Sequence, residues 1–360
     1  MELKKLRICA AALLAALLLP SAAPVHAADA PSLSAKCAVL LDAQSGRVLY
    51  EKNADEKSLI ASTTKIMTGL LVCEYGHLDD EFSVPAQAVG VEGSSMYLKA
   101  GETVTLRALL YGMMLRSGND AALALAIRIA GSAEAFAVQM NARAAELGLR
   151  NTHFANPHGL DSEENYATAR DLAILTRAAL QNGTFRTVVS TKTVTAADRC
   201  LTNHNKLLWR YDGAIGVKTG YTKKAGRILV SAAERGGRTL IAVTLNDPDD
   251  WRDHVRLLDY GFSQYARRTF AAASQIVGSI CVAGGEAPTA ALVVREALCY
   301  PLLPGERAQL RLHVPAIVHA PVTAGQAGTL ELLVDGERAA CVPVDYARAV
   351  AAREKEKAVK

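Results

Sequence analysis

Aromatic residues are scarce in this 360-residue chain, at 5% of positions with two tryptophans, and neither sign of charge prevails: 40 Lys and Arg face 36 Asp and Glu, a net of +4. A near-neutral chain lacks the basic surface that nucleic acid demands, so no nucleic-acid partner is expected. Outside the first twenty residues no apolar run is long enough to span a bilayer. None of the seven cysteines falls in a C-x-x-C or at zinc-like spacing with histidine, so no metal site is signalled. There is no internal repeat and no low-complexity tract. These absences exclude a disordered polyelectrolyte and a membrane-spanning bundle. What is plentiful is apolar residue, 50% of the chain, over a length too great for one small domain.

The N-terminus carries Lys4, Lys5 and Arg7, then an apolar run from Ile8 to Leu19 that Pro20 ends, then Val25-His26-Ala27. About 12 apolar residues at ~1.5 Å each are too short for a bilayer span but suit a secretory signal with small residues before its cleavage site. Residues 1–27 are therefore expected to be a cleaved signal peptide, and the mature chain to work outside the cytoplasm. Cys9 belongs to that segment. Its removal leaves 37 basic and 35 acidic residues. Six cysteines remain (Cys37, Cys73, Cys200, Cys281, Cys299 and Cys341), too few for a disulfide scaffold, and their connectivity is not readable.

Residues 36–52 predict a hairpin turning at Gln44-Ser45-Gly46. From Ser62 the period becomes helical, and 103–182 is helix-dominated: two apolar helices broken at Arg116–Asn119, a third ending at Gly148, a fourth ending before Asn182-Gly183. Strand character returns at 215–219, a hairpin turns over Arg235-Gly236-Gly237, and a last helix covers about 250–267. This order predicts an α+β domain with a helical insert over 28–270. Residues 271–346 alternate short apolar segments with Pro and Gly turns, which predicts a small all-β sandwich domain. The charged tail, 347–360, reads as a helix or a disordered end.

Three short elements carry chemistry: Ser62-Thr63-Thr64-Lys65, Ser117-Gly118-Asn119 and Lys218-Thr219-Gly220. One S-x-x-K means little alone, since 17 Ser and 15 Lys yield roughly 0.7 by chance. The ordered triple and its setting mean more. Ser62 falls in the first turn of a helix, Ser117 and Asn119 in a break between helices, and Lys218 at a strand end. At i, i+3, Ser62 and Lys65 share a helix face and can touch. A serine hydroxyl attacks only when a base takes its proton, and a lysine serves as base only if burial and nearby positive charge disfavour its ammonium form. Lys218 could supply that charge. The start of a helix offers free N–H groups and a positive dipole end to a developing oxyanion.

The same trio marks penicillin-binding proteins and class A β-lactamases. With its flanks (LLDAQSGRVLYEKNADEKSLIASTTKIMT, EGSSMYLKAGE, MMLRSGNDAALALA, TRAALQ and GVKTGYTKKAG), the stretch from about Lys36 to Tyr265 resembles the serine-type D-alanyl-D-alanine carboxypeptidases of the peptidase S11 family, the low-molecular-mass penicillin-binding proteins. The resemblance implies a mixed α+β transpeptidase-like fold with an antiparallel sheet and a helical subdomain. It also implies peptidoglycan stem peptides ending in D-Ala-D-Ala as substrate, β-lactams as covalent inhibitors, and no cofactor. Carried over, Ser62 is the acylated nucleophile, Lys65 its proton acceptor and Ser117 a proton relay. Asn119 holds the substrate amide, Lys218 and Thr219 bind the terminal carboxylate beside Gly220, and the N–H groups of Ser62 and Tyr221 form the oxyanion hole. The family often ends in an amphipathic helix for peripheral membrane association. AREKEKAVK lacks the Trp, Phe and Leu face for it, so either that anchoring is absent or its helix is not part of this sequence.

Two rival functions compete. A class A β-lactamase has S-D-N and a downstream acid that drives deacylation, whereas the chain has S-G-N, and Asp161, Glu163 and Glu164 stand in an N-P-H-G-L-D context typical of the carboxypeptidases. A non-catalytic peptidoglycan-binding protein would have no need of an intact triple. Among other polar residues, His153 and His158 are expected to structure their loop, His204 either to line the cleft or to be a satisfied structural residue, Arg170 and Asp171 to pair at a helix start, and Met113-Met114 to be core.

Overall fold

The computed structural model describes residues 29–354, so the expected signal segment lies outside the described residues. Strands β1 (Cys37–Asp42) and β2 (Val48–Lys52) form the expected hairpin, and β3 (Ala214–Thr222), β4 (Gly226–Arg235) and β5 (Arg238–Leu245) complete an antiparallel sheet in the order β2-β1-β5-β4-β3. β1 and β5 are buried at every position. That explains why they read as continuous apolar runs: a central strand covered on both faces has no solvent side to make polar.

Val39 and Leu41 of β1 face a larger core and Ala38 and Leu40 a smaller one, as the two-residue period of a strand requires. The larger core contains α1 (Lys65–Tyr75), α2 (Leu106–Leu115), α3 (Asn119–Ala130), α4 (Ala133–Glu146), α5 (Ala169–Gln181) and α6 (Gly183–Ser190). After the single turn α7 (Leu207–Arg210), the long α8 (Asp250–Gln264) covers the other face with Leu257 and Leu258. Met113 and Met114 are core, as expected.

Several local expectations need correction. Asn182-Gly183 stops α5 but also starts α6, because the Asn182 side chain accepts from the N–H groups of Thr184 and Phe185. Lys218 lies mid-strand, since β3 continues to Thr222. Arg170 and Asp171 do not pair with each other. Arg170 binds Asp55 and Glu51, and Asp171 accepts from Asn151 N–H and the Thr152 hydroxyl.

The C-terminal region is all β: β6 (Ala266–Ala271), β7 (Ile276–Ala283), β8 (Thr289–Val294), β9 (Leu298–Leu302), β10 (Ala308–His313), β11 (Ile317–His319), β12 (Gln326–Val334) and β13 (Glu337–Tyr346). A curled six-stranded sheet runs β10-β12-β13-β8-β7-β11, and β6 pairs with β9. They enclose a separate core around Leu292, Leu332 and Val344. The described part of the tail is not helical: Val350 bridges Val322 and Ala352 bridges Gly285. Val350 is buried there, so its apolar side chain decides the extended path. All six described cysteines are free thiols.

Arg47 ties the two regions together. It donates to the Pro301 carbonyl (2.6 Å) and to the Glu306 carboxylate, and its guanidinium lies over the rings of Tyr265 (5.2 Å) and Tyr300 (5.3 Å).

Candidate active site

The three motifs, scattered over 159 residues of sequence, meet at one cleft. Ser62 sits in a 3-10 turn (Ala61–Thr64) that leads directly into α1. Strand β3 is the sheet edge beside that turn. Gly220 lets the two approach: a Cβ there would meet the Ile60 carbonyl at 3.3 Å and Ser62 N at 3.4 Å. A larger side chain would push the strand off Ser62. Between α2 and α3 the chain breaks at Ser117, whose φ of 64° lies in the left-handed region that non-glycine residues seldom occupy.

Lys65 is fully buried. Its Nζ donates to Ser62 Oγ (3.1 Å), to Asn119 Oδ1 (2.7 Å) and to the His158 carbonyl. Burial and then the charge of Lys218 hold its pKa well below the usual lysine range, against a smaller opposite pull from Asp120. Lys218 is 2% exposed and its pKa is pushed down to about 7 by burial. Its Nζ donates to the Thr219 carbonyl (2.9 Å), with no ion pair among the described residues. Two buried lysines sharing one cleft cannot both carry charge cheaply. One is thus pressed toward the neutral amine and the other left short of an anion.

Asn119 is engaged at both ends. Its Oδ1 accepts from Lys65 and its Nδ2 donates to the Glu92 carbonyl (2.6 Å), while its backbone N–H donates to the Ser94 carbonyl (2.7 Å). Beside it, the buried Asp120 accepts from Ser95 Oγ (2.6 Å) and from the N–H groups of Met96 and Leu98. The segment 92–98 is thereby folded down as the roof of the site.

The cleft, of about 240 Å³, is lined by Ser62, Ser117, Thr219, Gly220 and Tyr221 from the motifs. It is also lined by Ser94, His204, Arg227, Asp250 and Trp251, of which only His204 was singled out from sequence. Arg227 binds the Asp250 carboxylate through Nη2 (2.8 Å) and Nε (3.2 Å). Nothing local marks Arg227 or Asp250, because β4 and α8 bring them together across 23 residues. His204 does line the cleft, and burial, Lys218 and Arg116 lower its pKa to about 4, so it stays neutral. His158 and His153 structure their loop as expected: the His158 ring accepts from Leu160 N–H, and His153 lies against the Glu164 carbonyl. Among the described residues no cluster of metal-ligating side chains forms.

The chain as a whole is similar to known proteins. The family model described as D-alanyl-D-alanine carboxypeptidase, Peptidase S11, matches residues 24–249. The chain belongs to the peptidase S11 family of D-alanyl-D-alanine carboxypeptidases. It is 36% identical over 331 residues to the D-alanyl-D-alanine carboxypeptidase DacF of Bacillus subtilis, covering 86% of this chain and 84% of that one. It is 40% identical over 250 residues to DacC of Escherichia coli, covering 65% and 62%. Penicillin binding protein 5 from Haemophilus influenzae superposes with a TM-score of 0.79 at 28% identity, over 90% of this chain and 99% of that one. The mixed α+β fold with its C-terminal β domain and the serine-type carboxypeptidase class expected from the sequence are those of the family.

Proposed function

We propose that the enzyme removes the terminal D-alanine of peptidoglycan stem pentapeptides through an ester on Ser62, and that β-lactams are trapped at the same oxygen. The observation that carries this reading is the buried, pKa-depressed Lys65 amine 3.1 Å from Ser62 Oγ. In the forward step Lys65 Nζ takes the hydroxyl proton as Oγ bonds to the carbonyl carbon of the penultimate residue. The oxyanion develops between the N–H groups of Ser62 and Tyr221. The proton passes by way of Ser117 to the departing amine, and the C–N bond breaks to release D-alanine. Water then attacks the ester, gives its proton to Lys65, and frees Ser62.

Lys218 and Thr219 hold the terminal carboxylate. A buried ammonium without a counter-ion gains most from an arriving anion, so substrate binding itself keeps Lys218 charged while Lys65 stays neutral. Asn119 orients Lys65 in the free enzyme and turns its amide to substrate when the peptide enters.

A β-lactamase reading fits less well. Asp161 and Glu163 line a different cavity, and Asp250, the carboxylate lining the Ser62 cleft, is committed to Arg227. The enzyme is proposed to act outside the cytoplasm, at the cell wall or the outer membrane face.

The test is labelling by a fluorescent penicillin with D-alanine release assayed in parallel. A long-lived adduct on Ser62, absent in Ser62→Ala while the fold persists, is expected. An adduct elsewhere, or rapid turnover of penicillin, overturns the assignment.

A further inference from the structure

We propose that a second cavity beside the cleft reads the third residue of the stem peptide and favours a diamino acid whose side chain ends in both an amine and a carboxylate. This rests on the stem-peptide reading above and names which substrate that site prefers.

The cavity, of about 410 Å³, is lined by Lys57, Leu59, Asp161, Glu163, Tyr166 and Lys224, with two serines between them. Its charges are two of each sign. Among the described residues none of the four belongs to an ion pair. Lys57 lies over the Tyr166 ring at 4.7 Å, and Asp161 accepts from the Thr222 hydroxyl (2.9 Å). Opposite charges that share a cavity yet leave each other unpaired offer a zwitterion complementary partners of both signs. The floor is firm. Tyr166 pairs in a short ladder with Leu59 and stacks on His153, so the apolar stem of a long side chain has a fixed surface to lie on.

Position favours the same ligand. Leu59 precedes the Ser62 turn by two residues. Thr222, which holds Asp161, follows Tyr221 of the cleft directly. If the terminal carboxylate lies at Lys218 and Thr219 and the oxyanion at Tyr221, the rest of the donor peptide continues along β3 toward Thr222 and Lys224. Lys224 lies in the turn, residues 223–225, that joins β3 to β4, two residues past Thr222. One further peptide residue spans ~3.5 Å, and an extended diamino side chain adds several ångströms more, enough to reach past the end of β3 to that turn. The amine would meet Glu163 and Asp161, and the carboxylate Lys224 and Lys57.

The experiment uses the mature chain and three soluble pentapeptides alike except at position three: meso-diaminopimelate, its side-chain amide, and alanine. The readout is the ratio of kcat/KM between them, which is internal to each preparation and so insensitive to partial misfolding. We expect the diaminopimelyl peptide to exceed the alanyl one by about tenfold and the amide by about threefold, the size of two partly exposed charge contacts. Lys224→Ala should erase the preference over the amide, and Glu163→Gln should reduce the preference over alanine. Equal ratios in the parent enzyme, with D-alanine released from all three peptides, would overturn the subsite and leave the reaction standing. Release from none, with no penicillin adduct, would overturn the reaction itself. Discrimination that survives both substitutions would also overturn the subsite, because the preference would then lie elsewhere.

Discussion

Changing Asn119 to aspartate replaces one heavy atom and reverses the electrostatics around Lys65, the proposed base. Asn119 Oδ1 accepts from Lys65 Nζ at 2.7 Å, so Asn119→Asp sets a carboxylate against the amine proposed to act in its neutral form. At about 3 Å and an effective dielectric near 20, the attraction is about 5 kcal/mol. Burying the new carboxylate takes back part of that, leaving about 3 kcal/mol in favour of the ammonium form. At ~1.4 kcal/mol per factor of ten, acylation by penicillin should fall by about two powers of ten. Asn119→Ala loses the same hydrogen bond and the tether to the Glu92 carbonyl but adds no charge, so it should fall by only about tenfold. Stability should rank the other way. The aspartate variant gains an ion pair for the lost tether and should unfold near the parent temperature, whereas the alanine variant leaves buried Lys65 with one partner fewer. The aspartate raises the pKa of Lys65, so the acylation rate of that variant should still climb at pH values where the parent has levelled. The assay is the rate of fluorescent penicillin labelling from pH 6 to about 10, beside thermal unfolding. If Asn119→Asp acylates as fast as Asn119→Ala, Lys65 is not the base.

Lys65→Arg should abolish acylation, because guanidinium stays protonated, while Lys218→Arg should lose less and mainly on substrates with a free terminal carboxylate; equal losses on ester-capped and free peptides would contradict that division. With the pKa of Lys218 at about 7, kcat/KM for free-carboxylate peptides should decline as pH rises above 7, and the decline should vanish for capped ones. His254 is fully buried between the Ser231 and Thr244 hydroxyls with its pKa lowered to about 3. The unfolded chain therefore takes up that proton first, and stability falls as pH drops below about 6.5; the share of His254 in the loss from pH 7 to 5, read by urea unfolding as the difference between the parent and His254→Gln, should be about 2 kcal/mol, beside a similar share from His158 and a smaller one from the more exposed His204. Arg47→Ala strips a largely buried partner from Glu306 and two aromatic contacts, so it should cost about 2–4 kcal/mol and split calorimetric unfolding into two transitions. A single unshifted transition would show that the latch does not couple the regions.

The sequence alone determined whatever depends on neighbours along the chain. The i, i+3 spacing of Ser62 and Lys65 puts them on one face whatever surrounds them, and the hairpins at Gln44–Gly46 and Arg235–Gly237 follow from turn chemistry flanked by apolar runs. The ordered triple and its flanks pointed to the family. Where local signals failed, a distant partner decided. Arg170 sits next to Asp171, yet each finds better-placed partners 15 or more residues away, because adjacent helical residues point apart. Val350 pulls a charged tail into an extended path because a core stands ready to bury it. Only the tertiary structure could place Asn119 against Lys65, fold segment 92–98 over the site through Asp120, and bring Arg227 to Asp250. It alone decided the electrostatics of Lys65, the proposed base, which is an ordinary lysine until packing removes its water and sets Lys218 beside it.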